Sequence, residues 1–245
     1  MRVLAYHRID WRRELGLNTI SPRRFRSHLH FLESAGLKEG SLWPPEPGVC
    51  FTFDDGYANF AEYAWPALQE YGWGAALFPV AAYIGKESRW DSTWPRARHL
   101  SWRQLRKLAE EGVEIGAHTM THPFLTRLPP AEAREEIADS KKALEDGTGK
   151  AVRLFAYPYG DVSETVARLA EEAGFEAAYT MNPFAPSGAV DRFGLPRTGV
   201  YSIDGRRRFA AKAGTRGFRA WKRAARFNQF INRCSYANRL LPRLG

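Results

Sequence analysis

Apolar residues along this chain fall into short alternating or continuous runs separated by longer stretches with helical spacing, and the pattern repeats to about residue 201. Residues 3–9 alternate well enough for a strand. Ser21-Pro22 then supplies an N-cap and a first-turn signal for a helix that carries Phe25, Leu29 and Leu32 to Gly36. Val49–Asp54 is a second strand, and a helix from about Ala58 to Tyr71 leads into a third at Ala75–Ile84. A polar loop containing Trp90 and Trp94 reaches Ser101-x-x-Gln104, a capping box whose helix buries Leu105 and Leu108. Val113–His118 reads as the next strand, Pro130–Gly147 as a helix with Ile137 and Leu144 inward, and Val152–Tyr157 as another strand. Ser163 caps a helix ending at Gly174, and Phe175–Met181 and Leu195–Tyr201 complete the series. Such alternation predicts an α/β fold, a distorted (β/α) barrel of about seven parallel strands, with functional groups on the loops at the strands' carboxyl ends.

The 245 residues suffice for one such domain, and 44% apolar with 26% charged residues is the composition of a globular chain. No apolar run approaches the roughly twenty residues that a bilayer span needs. The first residues, Met1 to His7, do not resemble a secretory signal, and two cysteines, Cys50 and Cys234, build no disulfide framework. These readings lead us to expect a cytoplasmic protein. Charge is distributed unevenly: residues 205–245 hold twelve Lys and Arg and no acid, so a net charge of +9 leaves 9 − 12 = −3 for residues 1–204. The composition break near Asp204 predicts a domain over 1–204 and a basic, helical extension over 205–245.

Two stretches about sixty residues apart carry the candidate chemistry: Thr52-Phe53-Asp54-Asp55-Gly56 and His118-Thr119-Met120-Thr121-His122. In the first, a strand delivers adjacent carboxylates before a glycine that permits a sharp turn, so one carboxylate is free to bind metal while the other handles protons. In the second, one turn of helix would set His118 and His122 on the same face as neutral imidazole ligands. Taken singly, paired Asp before Gly also builds plain turns, and HxxxH also marks a solvated helix face. Phe155-Ala156-Tyr157-Pro158-Tyr159-Gly160 is a third signal. His7, Asp54-Asp55, His118 and Tyr157-Pro158 all fall where a predicted strand stops.

In this order, the three motifs resemble the polysaccharide deacetylase family, the NodB-homology or carbohydrate esterase 4 enzymes, over roughly residues 1–204. The resemblance implies hydrolysis of N-acetyl groups on amino-sugar polymers, or of O-acetyl groups in some members, with a divalent metal, usually Zn²⁺, with Co²⁺, Ni²⁺ or Mn²⁺ as alternatives. It implies Asp55, His118 and His122 as metal ligands and Asp54 as general base. The backbone N–H of Tyr159 would face the oxyanion, with Pro158 and the rings of Tyr157 and Tyr159 walling the groove. Leu4-Ala5-Tyr6-His7 resembles the L-x-Y-H element that opens the circularly permuted, poly-N-acetylglucosamine deacetylase branch, which makes His7 the candidate general acid. Two departures stand out: the family's motif arginine is replaced by Ala156, for which Arg197 is a candidate substitute, and the fourth motif is not recognisable.

The leading expectation is therefore a de-N-acetylase acting on an N-acetylated glycan or lipid-linked sugar. The same site also suits a cyclic-amide amidohydrolase or a xylan O-acetyl esterase, and a catalytically silent glycan-binding module is the reading from a different class. Trp90 and Trp94 favour sugars, because aromatic faces stack on pyranose rings. In the extension, Arg206, Arg207, Arg208, Lys212, Arg216, Arg219, Lys222, Arg223 and Arg226 alternate with Phe209, Phe218, Trp221, Phe227, Phe230 and Ile231. That segment reads either as a helix packed on the domain with a solvated cationic face or as a peripheral contact with an anionic membrane surface. Nucleic acid ranks lower as a partner, since the rest of the chain is mildly acidic and shows no nucleic-acid module.

Overall fold

The computed structural model describes residues 1–12, 16–87, 97–184 and 192–238, the last eight by backbone alone. Strands β1 (Arg2–Tyr6), β2 (Arg8–Ile9) and β3 (Thr19–Ile20) precede helix α1 (Pro22–Ser34). β4 (Val49–Asp55) runs through a π turn at Phe60–Ala64 into α2 (Trp65–Glu70), and β5 (Ala76–Pro79) is followed by α3 (Trp102–Glu110). Next come β6 (Glu114–Ile115), α4 (Pro130–Thr148), β7 (Leu154–Ala156), α5 (Glu164–Glu172) and β8 (Ala177–Thr180). β9 (Leu195–Pro196) and β10 (Thr198–Gly199) lead to α6 (Arg206–Lys212) and α7 (Phe218–Asn238).

Local signals set several of these boundaries. Ser21, Ser101 and Ser163 accept backbone N–H groups at the starts of α1, α3 and α5, and Gln104 closes the capping box by reaching back to the Ser101 N–H. α4 stops at Gly149, whose φ of 69° is left-handed.

All strand pairs are parallel. β10-β1-β4-β5-β6 forms one sheet, β7-β8-β9 another and β2-β3 a short pair, and among the described residues a bridge between Ala117 and Phe155 joins the first two. A strand thus lies within each of the seven predicted segments, but the ladder is described as two linked sheets rather than one continuous ring. Burial of all seven β4 residues explains the largely apolar run that precedes Asp54, in which the Thr52 hydroxyl donates to the Leu4 carbonyl.

Predicted strands came out longer than the observed ones, and the interruptions are informative. The segment 3–9 breaks at His7, between β1 and β2, and the segment 195–201 breaks at Arg197, between β9 and β10. Each break turns a functional candidate out of regular pairing. Ala75–Ile84 shortens to β5 because Ala81 and Ala82 give their N–H groups to the carbonyls of Thr119 and Met120, bending the chain over the His118–His122 loop.

The basic extension is docked through Phe209, Lys212 and Asn228. Phe209 is buried and stacks on His28 at 3.9 Å, and the buried Lys212 ammonium donates to Gly199 O (2.7 Å) and pairs with Asp204. Asn228 donates to the same Gly199 carbonyl at 3.0 Å. Outward from this seam, α7 presents Arg219, Lys222, Arg223 and Arg226 between two exposed rings, Phe218 at 68% and Phe230 at 61%. Cys50 is a free, buried thiol in β4, and Cys234 lies among the side chains outside the description. No helix among the described residues is long and apolar enough to cross a membrane.

Candidate active site

Asp54 and Asp55 end β4 opposite Phe78 and Pro79 of β5. In an extended strand, adjacent side chains point to opposite faces, which would send the two carboxylates apart. Asp55 escapes that alternation by adopting φ 70°, and Gly56 follows at φ 72°. Gly56 has a second reason to lack a side chain: a Cβ there would lie 2.6 Å from Pro79 Cβ. His118 consequently stands near both carboxylates, 3.8 Å from Asp55 through its Nε2 and within electrostatic reach of Asp54.

The His118–His122 stretch corrects an expectation. It is a loop rather than a turn of helix, with Thr119 at φ 66° and His122 at φ 67°. Thr119 Oγ1 accepts the His122 N–H at 3.0 Å, fixing the curl that brings the two rings to a centroid distance of 4.8 Å. A β-branched residue in left-handed space costs about 1–2 kcal/mol, so tertiary structure imposes this loop against local preference. All four non-glycine residues with positive φ among those described, Asp55, Thr119, His122 and Tyr159, belong to the three motifs.

Donor arrangement settles which imidazole nitrogens face inward. His118 Nδ1 lies 2.6 Å from the Ala156 carbonyl, which only accepts, so Nδ1 carries the proton and Nε2 keeps its lone pair. His122 Nδ1 lies 3.0 Å from the Tyr159 hydroxyl, which in turn donates to the His122 carbonyl at 3.3 Å. Burial pushes the His118 pKa down to about 4, which keeps the ring neutral, the form a metal requires. His122 Nε2 is 3.5 Å from Asp55 Oδ1, and one atom from each of Asp55, His118 and His122 falls within a 4.8 Å group. Two tetrahedral ligands at about 2.1 Å from one ion would be roughly 3.4 Å apart, so the donor set fits a divalent metal of the Zn²⁺ kind. Hydrogen bonds on both Nδ1 atoms also match the outer support that metal-binding imidazoles require.

Asp54 is engaged differently. Arg197 holds it bidentately, Nη1 to Oδ1 at 2.6 Å and Nη2 to Oδ2 at 2.9 Å, and also donates to Thr52 Oγ1 at 3.2 Å. Arg197 is fully buried and its guanidinium lies over the Phe78 ring. Burial alone would raise the Asp54 pKa, but Arg197, then His118 and His7, reverse the sign and hold it below the ordinary carboxylate value. His7, half-buried where β1 stops, acts electrostatically on both Asp54 and His118 and so belongs to the same cluster.

The third motif divides. Tyr159 is half-buried at φ 62° with its ring stacked on Phe124 at 3.9 Å, beside His122. Pro158 is buried. Tyr157 is fully buried and donates to Phe193 O at 2.9 Å, which places its ring in the core and not on the groove wall expected for it. Trp90 and Trp94 lie outside the described residues. One participant had no signal in the sequence: His99, just before the α3 cap, whose Nδ1–H reaches the Asp55 carbonyl at 2.9 Å.

Fold and site together define a parallel α/β protein with a candidate metal centre at the carboxyl ends of its strands. The polysaccharide deacetylase family model matches residues 43–178, more than half of the chain, and the chain belongs to that family. It is 30% identical to YxkH of Bacillus subtilis (strain 168) over 209 residues, spanning 81% of this chain and 70% of YxkH. Against the poly-beta-1,6-N-acetyl-D-glucosamine N-deacetylase of Escherichia coli (strain K12) it is 26% identical over 204 residues, 70% of this chain but 29% of that enzyme. The structure of IcaB from Ammonifex degensii superposes with a TM-score of 0.71 at 23% identity, covering 93% of this chain and 96% of IcaB, which shows a shared fold.

Proposed function

We propose that this protein is a metal-dependent deacetylase that hydrolyses the N-acetyl group of N-acetylglucosamine units in a glycan or glycolipid. The observation that carries this reading is the pairing of an arginine-held carboxylate, Asp54, with the buried Asp55-His118-His122 donor set at the carboxyl ends of β4 and β6. On this reading the catalytic domain is the distorted barrel of about seven strands spanning 1–204, with 205–245 as an extension. Asp55, His118 and His122 would hold the ion, most readily Zn²⁺. When bound, the ion supplies Lewis acidity toward the acetyl carbonyl and the attacking water.

The chain's own residues do the rest. Asp54 takes the proton from the water, and Arg197 keeps that carboxylate ionised and aimed while leaving its outer lone pairs for the task. Tyr159, held left-handed, turns its backbone N–H toward the developing oxyanion. His7, at the end of β1 and within electrostatic reach of Asp54 and His118, protonates the departing amine. Replacing His7 by Ala is expected to slow hydrolysis of an N-acetyl sugar by about 10²–10⁴-fold while slowing an activated acetyl ester far less, because a good leaving group needs little protonation. Equal slowing of both substrates would remove His7 from the acid role.

Substrate choice is tested by incubating metal-loaded protein with N-acetylglucosamine oligomers, O-acetylated xylan and a set of cyclic amides. Acetate from the oligomers alone is the expected result. Release from xylan, or ring opening, would transfer the site to the esterase or amidohydrolase reading, and inertness toward all three would favour a silent binding module.

We also propose that the exposed face of α7 meets an anionic bilayer surface, on the strength of four cations flanked by Phe218 and Phe230 and no acid. Each basic side chain near such a surface contributes about 1 kcal/mol. Co-sedimentation should show salt-sensitive binding to vesicles containing anionic lipid, weakened when Arg219, Lys222, Arg223 and Arg226 are changed to Gln. Binding indifferent to lipid charge would reject this contact and leave the deacetylase reading intact.

A further inference from the structure

We propose that His99 is a positioning residue for Asp55, fixing through the main chain the direction in which that carboxylate enters the metal site. The inference rests on the reading of Asp55 as a metal ligand.

Asp55 occupies left-handed backbone space, which a non-glycine residue adopts only when its surroundings impose it, and its two neighbouring peptides must be held for the side chain to stay on the His118 side. The segment before α3 provides that hold. Arg98 O accepts the Ala58 N–H at 2.8 Å, Gly56 O accepts the Leu100 N–H at 2.9 Å, and Tyr57 pairs with His99 as an antiparallel bridge. Between these main-chain bonds, the His99 side chain supplies the remaining one, Nδ1–H to the Asp55 carbonyl at 2.9 Å. That carbonyl belongs to the 55–56 peptide, whose rotation changes ψ of Asp55 and would release the residue toward extended geometry. On release, the Asp55 carboxylate would swing to the face opposite Asp54.

The donor itself is held firmly. His99 is 2% exposed, and its ring lies 4.9 Å from that of Tyr57 and 5.6 Å from that of Tyr83. His99 lies outside the Asp55-His118-His122 donor set, and its Nδ1 bond goes to the Asp55 main chain, so its hold on the site runs through Asp55. Loss of an outer-shell hydrogen bond of this kind typically weakens metal affinity by about 10–100-fold.

The test compares His99→Phe, which keeps a ring between the two tyrosines but lacks the donor, with His99→Asn, whose amide nitrogen can occupy the Nδ1 position. Zn²⁺ affinity is measured by chelator competition, the Co²⁺ visible spectrum reports ligand geometry, and urea unfolding of the metal-free proteins monitors folding. Zn²⁺ binding weakened about 10–100-fold in His99→Phe, with a changed Co²⁺ spectrum and substantial recovery in His99→Asn, is the expected outcome. Affinity within threefold of wild type in His99→Phe, or equal losses in both variants, would overturn the proposal. Should His99→Phe fail to fold, His99→Asn decides alone: near-wild-type affinity supports the donor role and a loss as large as about 10–100-fold rejects it. Absence of Zn²⁺ binding by the wild-type protein would instead sink the underlying metal reading.

Discussion

Asp54→Asn is expected to keep its metal and lose about 10²–10⁴-fold in turnover, whereas Asp55→Ala is expected to lose the metal itself. The two residues are neighbours in sequence and both buried, so composition and burial do not distinguish them. Their partners do. Asp55 Oδ1 faces the Nε2 atoms of His118 and His122 at 3.8 and 3.5 Å, while both oxygens of Asp54 are taken up by Arg197. An amide at position 54 still accepts one hydrogen bond from Arg197 but has no basic lone pair to receive a proton from water. Metal content by elemental analysis, read beside acetate release, separates the two. Comparable metal loss in both variants would overturn the division of labour.

Arg197→Met should be nearly as damaging, and its signature is a change in pH dependence. Burial is the largest influence on Asp54 and acts to raise its pKa; the guanidinium is the principal force opposing it. With Arg197 present, the carboxyl stays below its ordinary value, so the base remains ionised well into the acid range. With Arg197 gone, burial dominates, the Asp54 pKa climbs above its ordinary value, and the acid limb of kcat/KM moves to higher pH. Activity lost at mildly acidic pH should therefore return in part as the pH is raised. Arg197→Lys, which keeps a charge but not the bidentate fork, should shift the limb less. Removing one partner of a buried pair also costs about 3–5 kcal/mol of stability, measurable by urea unfolding. An Arg197→Met protein that is folded, active and unchanged in its pH profile would show that Asp54 does not depend on this arginine.

Much of this site could be read from the chain because strand ends announce themselves locally. Val49–Phe53 is largely apolar because β4 is buried on both faces, and the polar residues that follow mark where the strand reaches the rim. Ser21, Ser101 and Ser163 are legible because capping is a contact between near neighbours. What pattern could not supply is geometry imposed from afar. The spacing of His118 and His122 suits a helix, yet the bonds from Ala81 and Ala82 to Thr119 and Met120 and the Thr119 hydroxyl hold a left-handed loop instead. Tyr157 and Tyr159 look equivalent in sequence, but one hydroxyl reaches Phe193 in the core and the other reaches His122. Arg197 could be singled out only as a candidate for the role vacated at Ala156, since its partner Asp54 lies 143 positions away. His99 carries no periodic or motif signal, because it acts through a main-chain carbonyl that any residue at 55 would offer.

The most direct measurement is acetate and free amine released from an N-acetylglucosamine oligomer by chelator-stripped protein, before and after Zn²⁺ is restored. Equimolar acetate and amine, absent from the stripped protein and recovered on adding the ion, is the result expected if Asp55, His118 and His122 hold a catalytic metal beside Asp54. Release that continues undiminished after the metal has been removed, or acetate without matching amine, would contradict it.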